Sequence, residues 1–262
     1  MVSKLDSQVA GCKPFLAGGG RITVLPDGAR LILPPASSGR HSDAQIDDYA
    51  GLARRQYPHR PPRRLSLRAR FSHNGKAGQN PLCGTAGFGF WNNPFGAQSK
   101  IPARPQAIWF FYASPPSNMA LALDLPGHGW KAACIDAGRV STLAWAPIAP
   151  LVMFMGRSRG LYRSIWPRVQ RSLGVCESVM ALDMTDWHAY EIEWKRDGSR
   201  WWVDGKPILE TDRSPRGPLG FVAWIDNQYA VVTPQGQFGF GLLDVVDEQW
   251  LEIADVRIDS VR

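Results

Sequence analysis

Residues 186–194 read Asp186-Trp187-His188-Ala189-Tyr190-Glu191-Ile192-Glu193-Trp194, and residues 200–206 read Arg200-Trp201-Trp202-Val203-Asp204-Gly205-Lys206. The first run alternates. Tyr190, Ile192 and Trp194 fall on one side of an extended chain, Glu191 and Glu193 on the other. Such a period of two marks a strand with one wet face. Lys195-Arg196-Asp197-Gly198-Ser199 turns the chain, Arg200–Val203 returns, and Asp204-Gly205 turns it again. Two such runs joined by a glycine-containing loop define a β-hairpin.

The pattern extends outward from this hairpin. Arg63–Ser72 sets Leu65, Leu67, Ala69 and Phe71 against Arg64, Ser66, Arg68 and Arg70, a half-buried strand with a cationic face. Arg21–Leu25 and Arg30–Leu33 flank a Pro-Asp-Gly turn, and Ala44–Tyr49 is a short candidate strand. Gly84–Trp91 and Gln106–Ala113 are apolar or aromatic at both parities, as expected of central strands covered on both faces. Met119–Leu125, Leu219–Ile225, Tyr229–Thr233, Phe238–Leu242 and Trp250–Ile258 bring the total to roughly a dozen strands. Residues 148–176 differ. Tyr162, Ile165, Trp166, Val169 and Leu173 fall at helical spacing, which predicts a basic amphipathic insertion that Pro167 breaks or restarts. Residues 1–62 form an N-terminal hairpin and irregular segment. Without repeats or a linker, residues 1–262 are expected to make one domain.

Composition agrees with an all-β chain, since 26 Gly and 21 Pro among 262 residues disfavour a helical bundle. No apolar run reaches the roughly 18–20 residues that cross a bilayer. The N-terminus lacks a basic segment followed by an unbroken apolar one, and Cys12, Cys83, Cys134 and Cys176 form no CxxC. These features predict reduced thiols and a cytoplasmic address. The net charge of +7 hides a split: residues 1–176 carry 22 Lys/Arg against 7 Asp/Glu, and residues 177–262 carry 8 against 16. Such asymmetry can mark a nucleic-acid or membrane partner, or strands of both halves interleaved in one fold. No recognition helix, zinc finger or RNP pattern accompanies it, so nucleic acid is not expected. The six Arg between Ala137 and Cys176 leave residues 148–176 as a candidate peripheral membrane contact, a lid or a packed helix.

The 186–206 hairpin resembles the penultimate hairpin of family-16 glycoside hydrolases and their laminarinase-like relatives, which show Asp-x-His-x-Tyr-x-x-Glu-Trp followed by Trp-x-Val-Asp-Gly. Residues 251–258 resemble the closing strand of that family. The resemblance implies an all-β, concanavalin A-like jelly-roll β-sandwich, two curved antiparallel sheets with a concave groove. It also implies a strand of the form Glu-x-Asp-x-x-Glu, whose alternation would aim the carboxylates into the groove. The corresponding strand here, Gln106–Tyr112, holds no acid, and neither does any position from Tyr49 to Leu123. Without ionisable groups the inherited double-displacement chemistry cannot run there.

What the groove strands supply instead is aromatic and amide: Trp91, Asn92, Asn93, Trp109, Phe111, Tyr112, Trp130, Trp224, Asn227, Gln228 and Tyr229 are the candidate ligand-binding residues. Asp226, on the parity of Trp224, and a pair formed by Asp124 and His128 are the candidate acid–base groups. No cofactor and no metal-ligand set is expected; the adjacent acids Asp47 and Asp48 leave a structural calcium open. These features favour a non-hydrolytic binder of an apolar or aromatic small molecule, or a cyclase or isomerase acting on a lipophilic metabolite. The alternative is a glycan-binding, lectin-like module or a divergent family-16 hydrolase.

Overall fold

The computed structural model describes residues 9, 11–75, 81–94, 103–119, 122, 125–138, 154, 158–233 and 235–261. Strands are numbered along the chain. One seven-stranded sheet, sheet A, runs in the order β1 (Lys13–Ala17), β4 (Asp43–Asp47), β13 (Gly220–Asp226), β6 (Thr85–Trp91), β7 (Gln106–Ala113), β8 (Gly129–Asp136), β9 (Cys176–Val179). The second, sheet B, runs β12 (Lys206–Thr211), β11 (Ser199–Val203), β10 (His188–Trp194), β5 (Arg63–Phe71), β16 (Gln249–Asp259), β3 (Gly28–Leu33), β2 (Arg21–Leu25). Neighbouring strands within both sheets are antiparallel. A separate hairpin joins β14 (Gln228–Val232) to β15 (Phe238–Leu242). The expected jelly-roll sandwich is the fold.

Alternation decides what lies between the sheets. Tyr190, Ile192 and Trp194 of β10, Leu65, Leu67 and Phe71 of β5, and Leu251 and Ile253 of β16 point inward, where they meet Phe88, Phe90 and Phe110 of sheet A. Trp194 and Trp201 are wholly buried. Each indole N–H finds a carbonyl: Trp194 donates to Pro215 at 2.9 Å, and Trp201 reaches Trp109 of the facing sheet at 3.2 Å. Buried tryptophans need such acceptors, because an unmet N–H in the core costs about 1–3 kcal/mol. The Asp204-Gly205 turn has positive φ at both residues (51° and 73°), the geometry that suits the right-handed twist of a two-residue hairpin.

The charge split resolves in space. Strands of both halves alternate in sheet B, and on its outer face Arg64 bonds Glu191 (2.5 Å), while Arg30 and Arg70 grip the two oxygens of Glu252 (2.7 and 2.6 Å). The Arg70 guanidinium also lies 5.0 Å from the Trp187 ring and 5.4 Å from that of Trp250. None of the four cysteines forms a disulfide. The helix of the insertion, α1 (Arg159–Ser172), continues through Pro167 rather than breaking there. Proline cannot supply the N–H of its turn; in the same turn the Arg168 side chain donates to the Ser164 carbonyl at 2.9 Å. No helix among the described residues is long and apolar enough to cross a membrane.

Candidate functional site

The outer face of sheet A is set by the residues that alternate away from the core. On β6 these are Thr85, Gly87, Gly89 and Trp91, interleaved with inward-facing Phe88 and Phe90. Cross-strand pairing places Gly87 between Trp224 of β13 and Phe111 of β7, and Gly89 between Val222 and Trp109. The glycines leave the strip above β6 open, and the flanking rings close over it. Trp224 lies 5.5 Å from Trp109 and 5.9 Å from Phe111, centroid to centroid, and Trp91 stacks on Trp224 at 6.4 Å with planes 9° apart. Trp109 and Phe111 stack at 5.3 Å. A Cβ at Gly87 would stand 2.4 Å from the Phe110 carbonyl and 2.8 Å from the Trp224 ring. The platform therefore requires glycine there.

Polar groups fringe the platform. Trp91 Nε1 donates to Tyr49 Oη at 2.6 Å, and Tyr49 stacks on Tyr57 at 4.8 Å. Burial pushes the Tyr49 hydroxyl far above the usual tyrosine range, so it stays a neutral donor. Trp224 Nε1 donates to Thr85 Oγ1 (3.0 Å), which donates in turn to Asp226 Oδ1 (2.8 Å). Asp43 pairs across β4 and β13 with Asp226. Burial pushes both carboxyls up, and at Asp43 the neighbouring Asp226 and Asp47 charges add to it. Further along the same face, Lys131 of β8 and Glu177 of β9 form a buried ion pair at 2.9 Å.

The sequence-predicted residues divide by parity. Trp91, Trp109, Phe111, Trp224 and Asp226 share the outer face. Tyr112 and Trp130 turn the other way and are core residues, Tyr112 donating to the Leu82 carbonyl at 3.0 Å. Asn92 and Asn227 are buried clamps: Asn92 binds the backbone of Arg104 and Gln106, and Asn227 binds that of Arg40, Ser42 and Leu243. The Asn93 carbonyl accepts from Arg54, and Tyr229 lies in β14 under Gly241. Gln228 is exposed beside Asp226. His128 is exposed in the turn before β8, and Asp124 lies outside the described residues. Asp47 accepts from Gln45 and the Tyr49 N–H, whereas Asp48 takes His59 and the Phe221 N–H, so the two adjacent acids serve different protein donors. Asp43, Tyr57 and the glycines of β6 were missed. The alternation of Gly87 and Gly89 with Phe88 and Phe90 was the available signal.

A charged trough of about 720 Å³ lies on the opposite side of the molecule, on the outer face of sheet B, lined by Arg64, Glu191, Glu193, Arg200, Trp202 and Arg257 among others. Arg64 and Arg200 there are already paired with Glu191 and Glu210. The trough holds no ring cluster and is not the site considered below.

The family model of glycosyl hydrolases family 16 matches residues 176–222, from β9 into β13, and so includes the 186–206 hairpin. No curated protein matches the chain. Among solved structures, the Crh5 transglycosylase in complex with NAG is similar over 98% of this chain and 81% of its own, at 11% identity and a TM-score of 0.49. A pseudo beta-1,3-glucanase of Mycobacterium tuberculosis is similar over 90% and 75%, at 12% and 0.48. A beta-1,3-glucanase from Mycobacterium marinum is similar over 95% and 91%, at 14% and 0.46. The family match overturns the expectation of a lipophile-binding cyclase or isomerase; the glycan alternative fits it better. The geometry agrees with that correction. Asp226, the intended proton shuttle, has Oδ1 fixed by Thr85 and the Gln228 N–H.

Proposed function

We propose that the outer face of sheet A is a glycan-binding groove, with the partly exposed Trp91, Trp109 and Phe111 as the surface on which sugar rings stack and the buried Trp224 supporting them. One observation carries this reading: four aromatic rings on the outer face, joined by ring contacts, gathered over the side-chain-free strip of Gly87 and Gly89. A pyranose presents C–H groups on its faces and hydroxyls at its rim. A ring platform with the partly exposed Gln45 amide at its edge complements both, and the buried Asp47 and Tyr49 hold that amide in place. The match of residues 176–222 to a family of glycosyl hydrolases supports the sugar class.

Binding without family-type hydrolysis is the form proposed. The outward positions of β7 are Ala107, Trp109, Phe111 and Ala113, all without a titratable group. A retaining mechanism needs two carboxyl groups about 5–5.5 Å apart across the scissile bond. The thermal-shift test uses β-gluco-oligosaccharides. They should raise the melting temperature of the protein, release no new reducing ends, and lose their effect in Trp109→Ala. Lipophilic ligands that stabilise the protein while every oligosaccharide is inert would reject the reading.

A further inference from the structure

At the end of the β4–β13 pairing, three potential ligand atoms converge. One atom each from His41, Asp43 and Asp226 lies within 4.8 Å of the other two. Both carboxylates are nearly inaccessible, at 6% exposure each. Asp43 Oδ1 is buried and has no hydrogen-bond partner among the described residues. A buried, unmet carboxylate oxygen beside a second carboxylate is an expensive arrangement unless a proton or a cation meets it. The nearest cationic candidate, His41 Nε2, stands 3.9 Å from Asp43 Oδ2, beyond hydrogen-bond reach.

The rest of the local network is already committed. Asp226 Oδ1 accepts from the Thr85 N–H, the Thr85 hydroxyl and the Gln228 N–H, at 3.2, 2.8 and 3.0 Å. That leaves Oδ2, whose partner is the side-chain amide of Gln228 at 3.0 Å. The same Gln228 Nε2 lies 3.0 Å from His41 Nε2. One amide NH2 group thus bridges His41 and Asp226 with two partial positive charges. Gln228 is exposed and can swing away, leaving both atoms to a stronger positive charge.

We propose that His41, Asp43 and Asp226 form a binding site for one divalent transition-metal ion of the zinc or manganese kind. One imidazole and two carboxylates are three protein ligands that leave a further position for water, and nitrogen among them favours these ions over calcium. Around a tetrahedral ion at about 2.0–2.2 Å, ligand atoms stand about 3.3–3.6 Å apart, so three atoms that lie within 4.8 Å of one another close in by up to about 1.5 Å when the ion binds. A sugar-cleaving role for the same acids is disfavoured by their closure from solvent and by the donors on Asp226. The ion would fix the carboxylate to which Thr85 links the Trp224 indole, and so brace one end of the ring platform. The site stands whether or not the platform binds glycans.

The test is calorimetric titration of chelator-treated protein with Zn²⁺ alone and with Mn²⁺ alone, alongside thermal melts in each ion and in Ca²⁺. Zn²⁺ or Mn²⁺ should bind with one equivalent and raise the melting temperature, and Ca²⁺ should not. His41→Ala, at a half-exposed position that tolerates truncation, and Asp43→Asn should each weaken binding by at least tenfold with unchanged far-UV circular dichroism. Failure of both transition ions to bind, equal binding by His41→Ala, or an equal shift with Ca²⁺ would each overturn the proposal. If Asp43→Asn does not fold, the His41→Ala titration decides alone.

Discussion

Gly87→Ala is the smallest change that puts an atom into the ring platform. The new Cβ would stand 2.4 Å from the Phe110 carbonyl oxygen, 2.8 Å from Trp224 Cη2 and 3.2 Å from the Phe111 Cα. The indole can tilt away, but the carbonyl belongs to β7, paired on both sides by β6 and β8, and the Phe111 Cα is equally fixed. Inserting a methyl into a filled space of this kind costs about 1–3 kcal/mol. At about 2–4 °C per kcal/mol for chains near this size, the melting temperature should fall by about 2–12 °C. Displacing Trp224 also breaks its stack with Trp91, so the near-UV circular dichroism should lose amplitude along with the thermal stability. Gly160→Ala is the control. Nothing lies within 4 Å of its would-be Cβ, and it sits in α1, where alanine should stabilise by up to about 1 kcal/mol. A Gly87→Ala protein that melts like the wild type and keeps its near-UV spectrum would refute the claim that the rings close over this strip.

Lys131→Met leaves the Glu177 carboxylate buried without that ammonium and should cost about 3–5 kcal/mol, most of it recovered when Glu177→Leu is added; a urea-denaturation double-mutant cycle measures the coupling. Burial raises the Asp204 carboxyl, but hydrogen bonds from His188 and the Ala189 N–H outweigh it and hold the group below the usual aspartate range. The folded value lies below the unfolded one. Its stabilisation is therefore complete above the unfolded value, about 3.9, and drains away as pH falls through the folded value. Denaturation midpoints of Asp204→Asn should accordingly fall less steeply than those of the wild type on acidification below about pH 4; parallel curves would exclude that contribution.

The 186–206 hairpin was legible because its two determinants are local. Tyr190, Ile192 and Trp194 alternate with charges, and Asp204-Gly205 demands positive φ at successive residues. Strand β5 was legible for the same reason, with Arg64, Arg68 and Arg70 outward. Where both faces of a strand are covered, alternation carries no sign. On β7, Phe110 and Tyr112 enter the core while Trp109 and Phe111 face the groove, and nothing in Gln106–Ala113 says which set goes where. Strands β8 and β9 went unread because Lys131 and Glu177 look like surface charges until their pairing buries them. The Asp43–Asp226 contact was beyond reach too. It depends on β4 lying beside β13, a neighbourhood set by the topology of the whole sheet. The protein donors on Asp47 and Asp48 were out of reach as well, because Gln45, Tyr49, His59 and Phe221 are brought to them only by the folded chain.

Rings, not acids, occupy the outward positions of β7, and the proposed function has sugars stack on them. Calorimetric titration of a β-1,3-gluco-oligosaccharide into the wild type and into folded Trp109→Ala tests it most directly. The account predicts saturable binding by the wild type and at least about 2 kcal/mol lost in the variant, as for a central aromatic anchor. Equal affinity for both proteins, or no heat from the wild type, would contradict it.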